Sequence, residues 1–265
     1  MLAQSDSQFS FVYGPVKSWR YGRSLGIDPI GRVSTCSFDC VYCQLGAIER
    51  VTSDRAIFVP TDRILQDLQT YAPWDVDVIT LSGSGEPTLA LNLGDIITGI
   101  GTLTGKPVAV LTNSTLLGDA SVRQALASAD KVSLKLDAAS SDRLRRVNRP
   151  APGIALDEIL AAARQFRSDF SGELAIQTMI LVPWDEGDRA EYIEQMRVIS
   201  PDEIQLNTPS RPKPLQHELD ARGNHSADDR PYEVRTFRQV SDRVLHEFSE
   251  EIRAATGIPV RYPSH

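Results

Sequence analysis

Alternation of short β-branched runs with helical periodicities limits the fold of this chain more than any other feature of its sequence. The runs Val76–Ser82 (VDVITLS), Val108–Thr112, Lys131–Leu136, Leu174–Val182 and Glu203–Leu206 have the length and composition of buried strands. The fourth, LAIQTMILV, is apolar enough to be covered on both faces, as parallel strands are. Between the strands, apolar residues recur at helical spacing. One helix carries Ile64, Leu65 and Leu68, is capped by Thr61 or Asp62 and stops before Pro73. Another carries Leu93, Ile96, Ile97, Ile100 and Leu103, and a third Leu156, Ile159, Leu160, Ala163 and Phe166. Further helices are expected from about 119 to 128 and about 189 to 199, and Phe237, Val240, Val244, Leu245, Phe248 and Ile252 trace a long last one. Along the chain these strand signals alternate with helices. Right-handed crossovers curl such units into a parallel barrel, or part of one, with the helices outside.

At 265 residues the chain suffices for one large domain with a substantial core. No apolar run is long enough to span a bilayer, and the polar start MLAQSDSQFS lacks the basic and apolar segments of a signal peptide, so the expected location is cytoplasmic, with no membrane partner. The net charge of −7 excludes a protein whose main business is non-specific binding to nucleic acid. Two short basic runs, Lys17, Arg20, Arg23 and Arg32, then Arg143, Arg145, Arg146 and Arg149, read as solvated faces.

Polar residues gather where strands end, which is where barrel sites lie. Val76–Ser82 runs into Gly83, Ser84, Gly85, Glu86, Pro87 and Thr88; glycines there let a ligand approach the backbone, and the acidic side chain can accept from an ammonium group. The following strands end at Asn113 and Ser114, at Ser133, Lys135 and Asp137, and at Asn207.

All three cysteines, Cys36, Cys40 and Cys43, sit in Thr35–Gln44 (TCSFDCVYCQ) with the spacing C-x3-C-x2-C. Their confinement to one loop fits a reducing compartment. Three thiols in one tight loop can surround a metal centre with little closure cost. A structural zinc site needs four ligands, and the four histidines, His217, His225, His246 and His265, are all far downstream. A four-iron cluster on three thiolates leaves one iron open. A buried thiol cluster without metal, and a zinc site completed by His or Asp, remain open on spacing alone.

The C-x3-C-x-aromatic-C pattern, with Tyr42 before the last cysteine, resembles the cluster loop of the radical S-adenosylmethionine superfamily. GSGEPT, one βα unit later, resembles that superfamily's GGE motif. The resemblance implies an open partial (β/α)6 TIM-like barrel of parallel strands with outer helices and a C-terminal helix. It implies a 4Fe-4S cluster on Cys36, Cys40 and Cys43, and an S-adenosyl-L-methionine site drawing on Tyr42, Gly83, Ser84, Gly85, Glu86, Asn113, Ser133 and Asn207. Lys135 and Asp137 are the catalytic candidates, and Tyr13, Tyr21 and Lys135 could quench a product radical. An electron donor such as flavodoxin or ferredoxin is implied as a partner.

The run GPV-x-S-x-R-x-GRSLGID ahead of the cysteines, Asn148-Arg149-Pro150, and NTPSRP from Asn207 narrow the resemblance to the subgroup related to the wyosine (4-demethylwyosine) synthase of transfer RNA. That makes a tRNA base a possible substrate. The wyosine enzyme carries further upstream cysteines for a second cluster, and this chain has none. The expected division is an N-terminal extension at 1–28 packing near the cluster loop, a barrel core at 29–212, and a loop or lid with the closing helix at 213–265. An electron-transfer or sensing iron-sulfur protein and a zinc-stabilised binding module are the alternatives.

Overall fold

The βα alternation builds one curled sheet with its helices on the convex side. The computed structural model describes residues 9–222 and 232–263. In chain order the strands of this sheet are β1 (Val12–Ser18), β2 (Gly22–Ile27), β5 (Val78–Leu81), β6 (Val108–Thr112), β7 (Lys131–Lys135), β8 (Glu173–Met179), β9 (Glu203–Asn207) and β12 (Val260–Arg261). Their spatial order is β1-β2-β5-β6-β7-β8-β9-β12. Every neighbouring pair is parallel except β1 with β2. The crossovers hold α1 (Thr61–Gln69), α2 (Leu93–Thr104), α3 (Ala120–Leu126), α4 (Ser141–Val147), α5 (Leu156–Asp169), α6 (Glu186–Ile199) and α7 (Asp242–Thr256). Two small ladders complete it: β3 (Thr35–Cys36) with β4 (Arg50–Val51), and β10 (Lys213–Pro214) with β11 (Val234–Arg235). The result is the α/β half-barrel of mostly parallel strands that the sequence predicts.

Strand alternation decides which side chains meet the helices. Leu25, Ile27, Ile79, Leu81, Val108, Val110, Val132, Leu134, Leu174, Ile176, Ile204 and Leu206 share one core with Ile64, Leu68, Ile96, Ile97, Ile100, Phe166, Met196 and Leu245. Each such fully buried side chain contributes roughly 1.5–3 kcal/mol. Several of the intervening residues, among them Ser24, Thr80, Ser133 and Gln205, are buried and polar, beside small apolar ones such as Ala109 and Ala175. A lumen lined this way favours a ligand over dry packing.

Several boundaries differ from expectation. Phe11–Asp28 reads as a glycine-rich lead-in, yet it supplies β1 and β2; Gly22–Ile27 and the short Val260–Arg261 join the five expected strands, making seven parallel ones. Its sequence, GRSLGI, hides the alternation because its concave positions are small. Gly26 is glycine because a Cβ there would lie 2.2 Å from the Tyr13 ring. Pro60, not Thr61 or Asp62, is the N-cap of α1. The last helix begins at Asp242, after Phe237 and Val240, because Val240 N donates to Thr208 Oγ1 at 3.1 Å and is held extended against β9. Ser10 is tied down, its Oγ donating to Val12 O at 2.7 Å. Of the expected lid at 216–230, the structure describes 216–222; the remainder, with His225, His265 and residues 1–8, lies outside the described residues. Among the described residues no helix is long and apolar enough to cross a membrane.

Candidate active site

The cysteine loop is clamped at the C-terminal ends of the strands by backbone on two sides. On one side Glu86 N donates to Thr35 O at 3.0 Å, and a Cβ on Gly85 would lie 1.7 Å from that oxygen, so only glycine permits the approach. On the other, Asp39 N donates to Arg149 O at 3.2 Å, Val41 N to Val147 O at 2.9 Å, and Ala151 N to Ser37 O at 2.8 Å. Within the loop Cys43 N meets Cys40 O at 3.1 Å. The three thiols are free and half-buried.

Two side-chain amides point at the sulfurs. Asn113 Nδ2 donates to Cys36 Sγ at 3.5 Å and to Ser37 Oγ at 2.8 Å; Asn148 Nδ2 donates to Cys40 Sγ at 3.4 Å and to Asp137 Oδ2 at 2.7 Å. Phe38 N adds a third contact, to Cys36 Sγ at 3.4 Å. Burial pushes all three thiols up, Cys36 well above the ordinary range and Cys40 to about 12. Thiolates here therefore need a cation, and the donors aimed at sulfur suit a thiolate-bound iron group. Among the described residues no three His, Cys, Asp or Glu side chains converge on a single-ion site. His217 is engaged elsewhere, by Leu45 O at 3.2 Å and Glu49 at 3.5 Å.

Three buried carboxylates organise the rim. Asp28 Oδ1 accepts from Ile30 N and Gly31 N, each at 3.0 Å, and Oδ2 from Ser84 N at 3.0 Å, Ser84 Oγ at 2.5 Å and Arg222 at 3.0 Å. Gly83, at φ +127°, leaves room for that carboxylate, whose Cγ would be 2.5 Å from a Cβ. Glu86 Oε1 accepts from Thr88 N at 3.0 Å and from the Thr88 and Thr112 hydroxyls at 2.6 Å each, while Oε2 accepts from Asn113 N at 2.7 Å. Burial raises the Glu86 carboxyl above its usual range, against the pull of these donors. Asp137 takes Met179 N at 2.8 Å on Oδ1, and Asn148 Nδ2 with the Tyr42 hydroxyl on Oδ2. Lys135 Nζ lies 3.6 Å from Asp137 Oδ1 and 5.1 Å from the centre of the Tyr42 ring.

The expected site residues thus fall into groups. Tyr42, Lys135, Asp137 and Cys40 form one contiguous network, and Glu86, Asn113 and Cys36 another. Ser84 is wholly buried and turned to Asp28. Ser133 Oγ meets the Tyr21 hydroxyl at 2.5 Å, deeper in the lumen. Asn207 is half-buried, its Oδ1 taking Thr208 N at 2.9 Å. Sequence reasoning gave no role to Asp28 or Arg222, and none beyond resemblance to Asn148. Asp28 closes the GRSLGID run and Asn148 opens Asn-Arg-Pro, so both stood in motifs already singled out.

The radical SAM superfamily profile matches residues 32–196, which take in the cysteine loop, the GSGEPT turn and Asn148. The chain belongs to the radical SAM superfamily. A UPF0026 protein of Synechocystis is 57% identical over 97% of both chains. A UPF0026 protein of Methanocaldococcus jannaschii is 34% identical over 77% of this chain, which spans 64% of that relative's length. Among solved structures, Streptococcus suis SuiB bound to S-adenosylmethionine superposes with a TM-score of 0.60 at 15% identity, over 87% of this chain and 48% of its own, a likeness of fold. This radical SAM barrel therefore carries its cysteines, its glycine turn and its buried carboxylates on the face where barrel enzymes place their sites.

Proposed function

We propose that the protein is a radical SAM enzyme that holds a 4Fe-4S cluster on Cys36, Cys40 and Cys43 and reductively cleaves S-adenosyl-L-methionine. The observation that carries this reading is the loop itself: three thiols, two of them met by amide donors, pinned at the strand ends between the Gly85 turn and residues 147–151. When bound, the cluster supplies an open iron for the cofactor and the electron that releases a 5'-deoxyadenosyl radical.

The chain's own residues do the rest. Asn113 and Asn148 orient and stabilise thiolates by N–H···S bonds. Tyr42 packs its ring in the loop and donates a hydrogen bond from its hydroxyl to Asp137, which makes Asp137 a positioning residue for both Tyr42 and Asn148. Lys135, with its side chain 19% exposed beside that network, is the cation able to reach a cofactor carboxylate. Glu86 keeps spare acceptor capacity only on Oε2, so an ammonium group would be received there and on the backbone of Gly83–Gly85. The electron comes from a flavodoxin- or ferredoxin-type donor, and residues 213–222 form the described part of a lid that excludes water. The subgroup resemblance points to a transfer RNA base as substrate, but a net charge of −7 gives the surface no general affinity for a phosphate backbone.

Anaerobic reconstitution with iron and sulfide, reduction with S-adenosylmethionine, and assay for 5'-deoxyadenosine and methionine test the reading. Both products are expected, and both are lost in Cys40→Ala. A cluster that leaves the cofactor intact, with and without transfer RNA, would favour electron transfer; a colourless zinc protein would overturn the proposal.

A further inference from the structure

The β1-β2 hairpin turn folds under the barrel and closes its lower opening. Arg261 of β12, at the far edge of the sheet, donates to Arg20 O at 3.1 Å, and Tyr21 reaches across to Ser133 of β7. Arg20 thereby becomes a half-buried residue at the lumen floor, more enclosed than the exposed Lys17, Arg23 and Arg32 of the same basic run. Its Nε is sealed from solvent and has no hydrogen-bond partner. The groups that act on its charge are Tyr21, Arg211 and Arg261, two of them cations, and desolvation with this like charge lowers its pKa. The neighbouring basic residues are matched: Arg261 pairs with Glu203 at 2.6 Å, Arg23 with Asp75 at 2.5 Å, and Lys131 with Glu173. Among the described residues no carboxylate pairs with Arg20; its guanidinium lies 5.4 Å from the centre of the Trp19 ring.

The wall above the floor is also polar. Lys135, Gln177, Gln205 and Arg261 are register partners across β7, β8, β9 and β12. Gln205 is 0% exposed, and its Oε1 has no partner. Arg211 reaches Gln44, next to Cys43, at 2.6 Å, so the arginines line a path between the cluster loop and the floor. A partly desolvated cation without a counter-charge costs stability unless something else satisfies it, and among the described residues no acceptor meets the Arg20 Nε.

We propose that Arg20 is the anion receptor of the barrel, seating the terminal carboxylate or phosphate of a small substrate that enters from the cluster end. The closed floor admits the end of a molecule and not the middle of a polymer, which argues for a small substrate. Gln205 Oε1 would accept from a hydroxyl or N–H on the same molecule. This inference rests on the barrel being the substrate chamber of the proposed enzyme, but its test needs neither cluster nor cofactor. Its failure therefore leaves the radical chemistry standing, and the converse holds.

The test is thermal unfolding of the full chain at constant ionic strength, titrated with sodium acetate or with inorganic phosphate against chloride. One or both probes should stabilise the wild type saturably; acetate alone identifies a carboxylate substrate and phosphate alone a phosphate ester. Arg20→Met should weaken the apparent affinity about tenfold or more, with Arg20→Lys between the two. Arg23→Met, at an exposed paired arginine, should bind the probe as wild type does. Because it removes a half-buried charge that no carboxylate pairs among the described residues, Arg20→Met should also raise the probe-free midpoint, by about 2 °C or less. Unchanged probe affinity in Arg20→Met, a lowered midpoint marking a structural role, or a wild type stabilised by neither probe would overturn the assignment.

Discussion

At the upper rim of the barrel Asp28, Glu86 and Asp137 are buried with both oxygens of each engaged by donors from the chain, whereas at the floor Arg20 is half-buried with an unmatched Nε. The rim carboxylates spend their hydrogen-bonding capacity on loops: Asp28 joins the end of β2 to Ser84 and Arg222, Glu86 joins the glycine turn to the end of β6, and Asp137 joins Tyr42, Asn148 and β8. A satisfied buried acid is architecture, fixing where the cysteine loop sits. At the floor the Nε of Arg20 and the Oε1 of Gln205 meet no hydrogen-bond partner among the described residues. The two places differ in sign of charge and in depth, and they differ as well in whether the fold completes the hydrogen bonds.

The largest expected effect strikes the rim. Gly85→Ala forces a Cβ into Thr35 O, a backbone atom that cannot yield without moving the loop, and should cost about 3 kcal/mol or more; chemical denaturation measures it, and iron incorporation should fall with it. A wild-type-like variant would remove the claim that this contact seats the loop. Asp28→Ala comes next, at about 3 kcal/mol, because it strands Arg222 and leaves Ser84 and two loop amides without their acceptor. That loss against the gain expected for Arg20→Met is the sharpest contrast of sign between the two ends.

Glu86→Gln should cost about 1–3 kcal/mol at neutral pH, since its new amide N–H faces donors already present. Its pH dependence separates geometry from charge. The raised folded pKa means that the native state holds its proton more tightly than the unfolded chain does. The corresponding stability is complete below the ordinary value of 4.5 and is lost as pH rises through the higher folded value. Acidification from neutrality should therefore help the wild type relative to Glu86→Gln, and parallel unfolding midpoints across that range would show the carboxyl to be unshifted. Smallest is Asn148→Ala, about 1 kcal/mol in stability from the lost bond to Asp137, with a lower midpoint potential of the reconstituted cluster because the Cys40 thiolate loses a donor. Equal potentials would confine Asn148 to a structural part.

The parallel barrel was legible because VITL, VAVLT and KVSLK are strong local strand signals, and the cysteine loop because C-x3-C-x2-C is dense in thiols. β2 escaped because Gly26 and Ser24 carry no hydrophobic signal; their smallness is a demand of the Tyr13 ring and of Thr80, residues far off in sequence. Glu86 was legible as a site residue, but that its Oε1 holds Thr88 and Thr112 was not, since Thr112 belongs to another strand. Arg20 was read with the wrong environment for the same reason: whether a hairpin arginine is solvated depends on where β12 ends.

By itself the sequence determined the alternation of the five central strands with their helices, the three thiols in one loop and the glycine turn that follows, all set by local propensity, periodicity and spacing. Tertiary structure alone decided which polar groups are spent. Hydrogen bonds between residues as distant as Tyr42 and Asp137, Asp28 and Arg222, or Arg20 and Arg261 depend on the curl of the sheet, and that curl brings together atoms no local pattern relates.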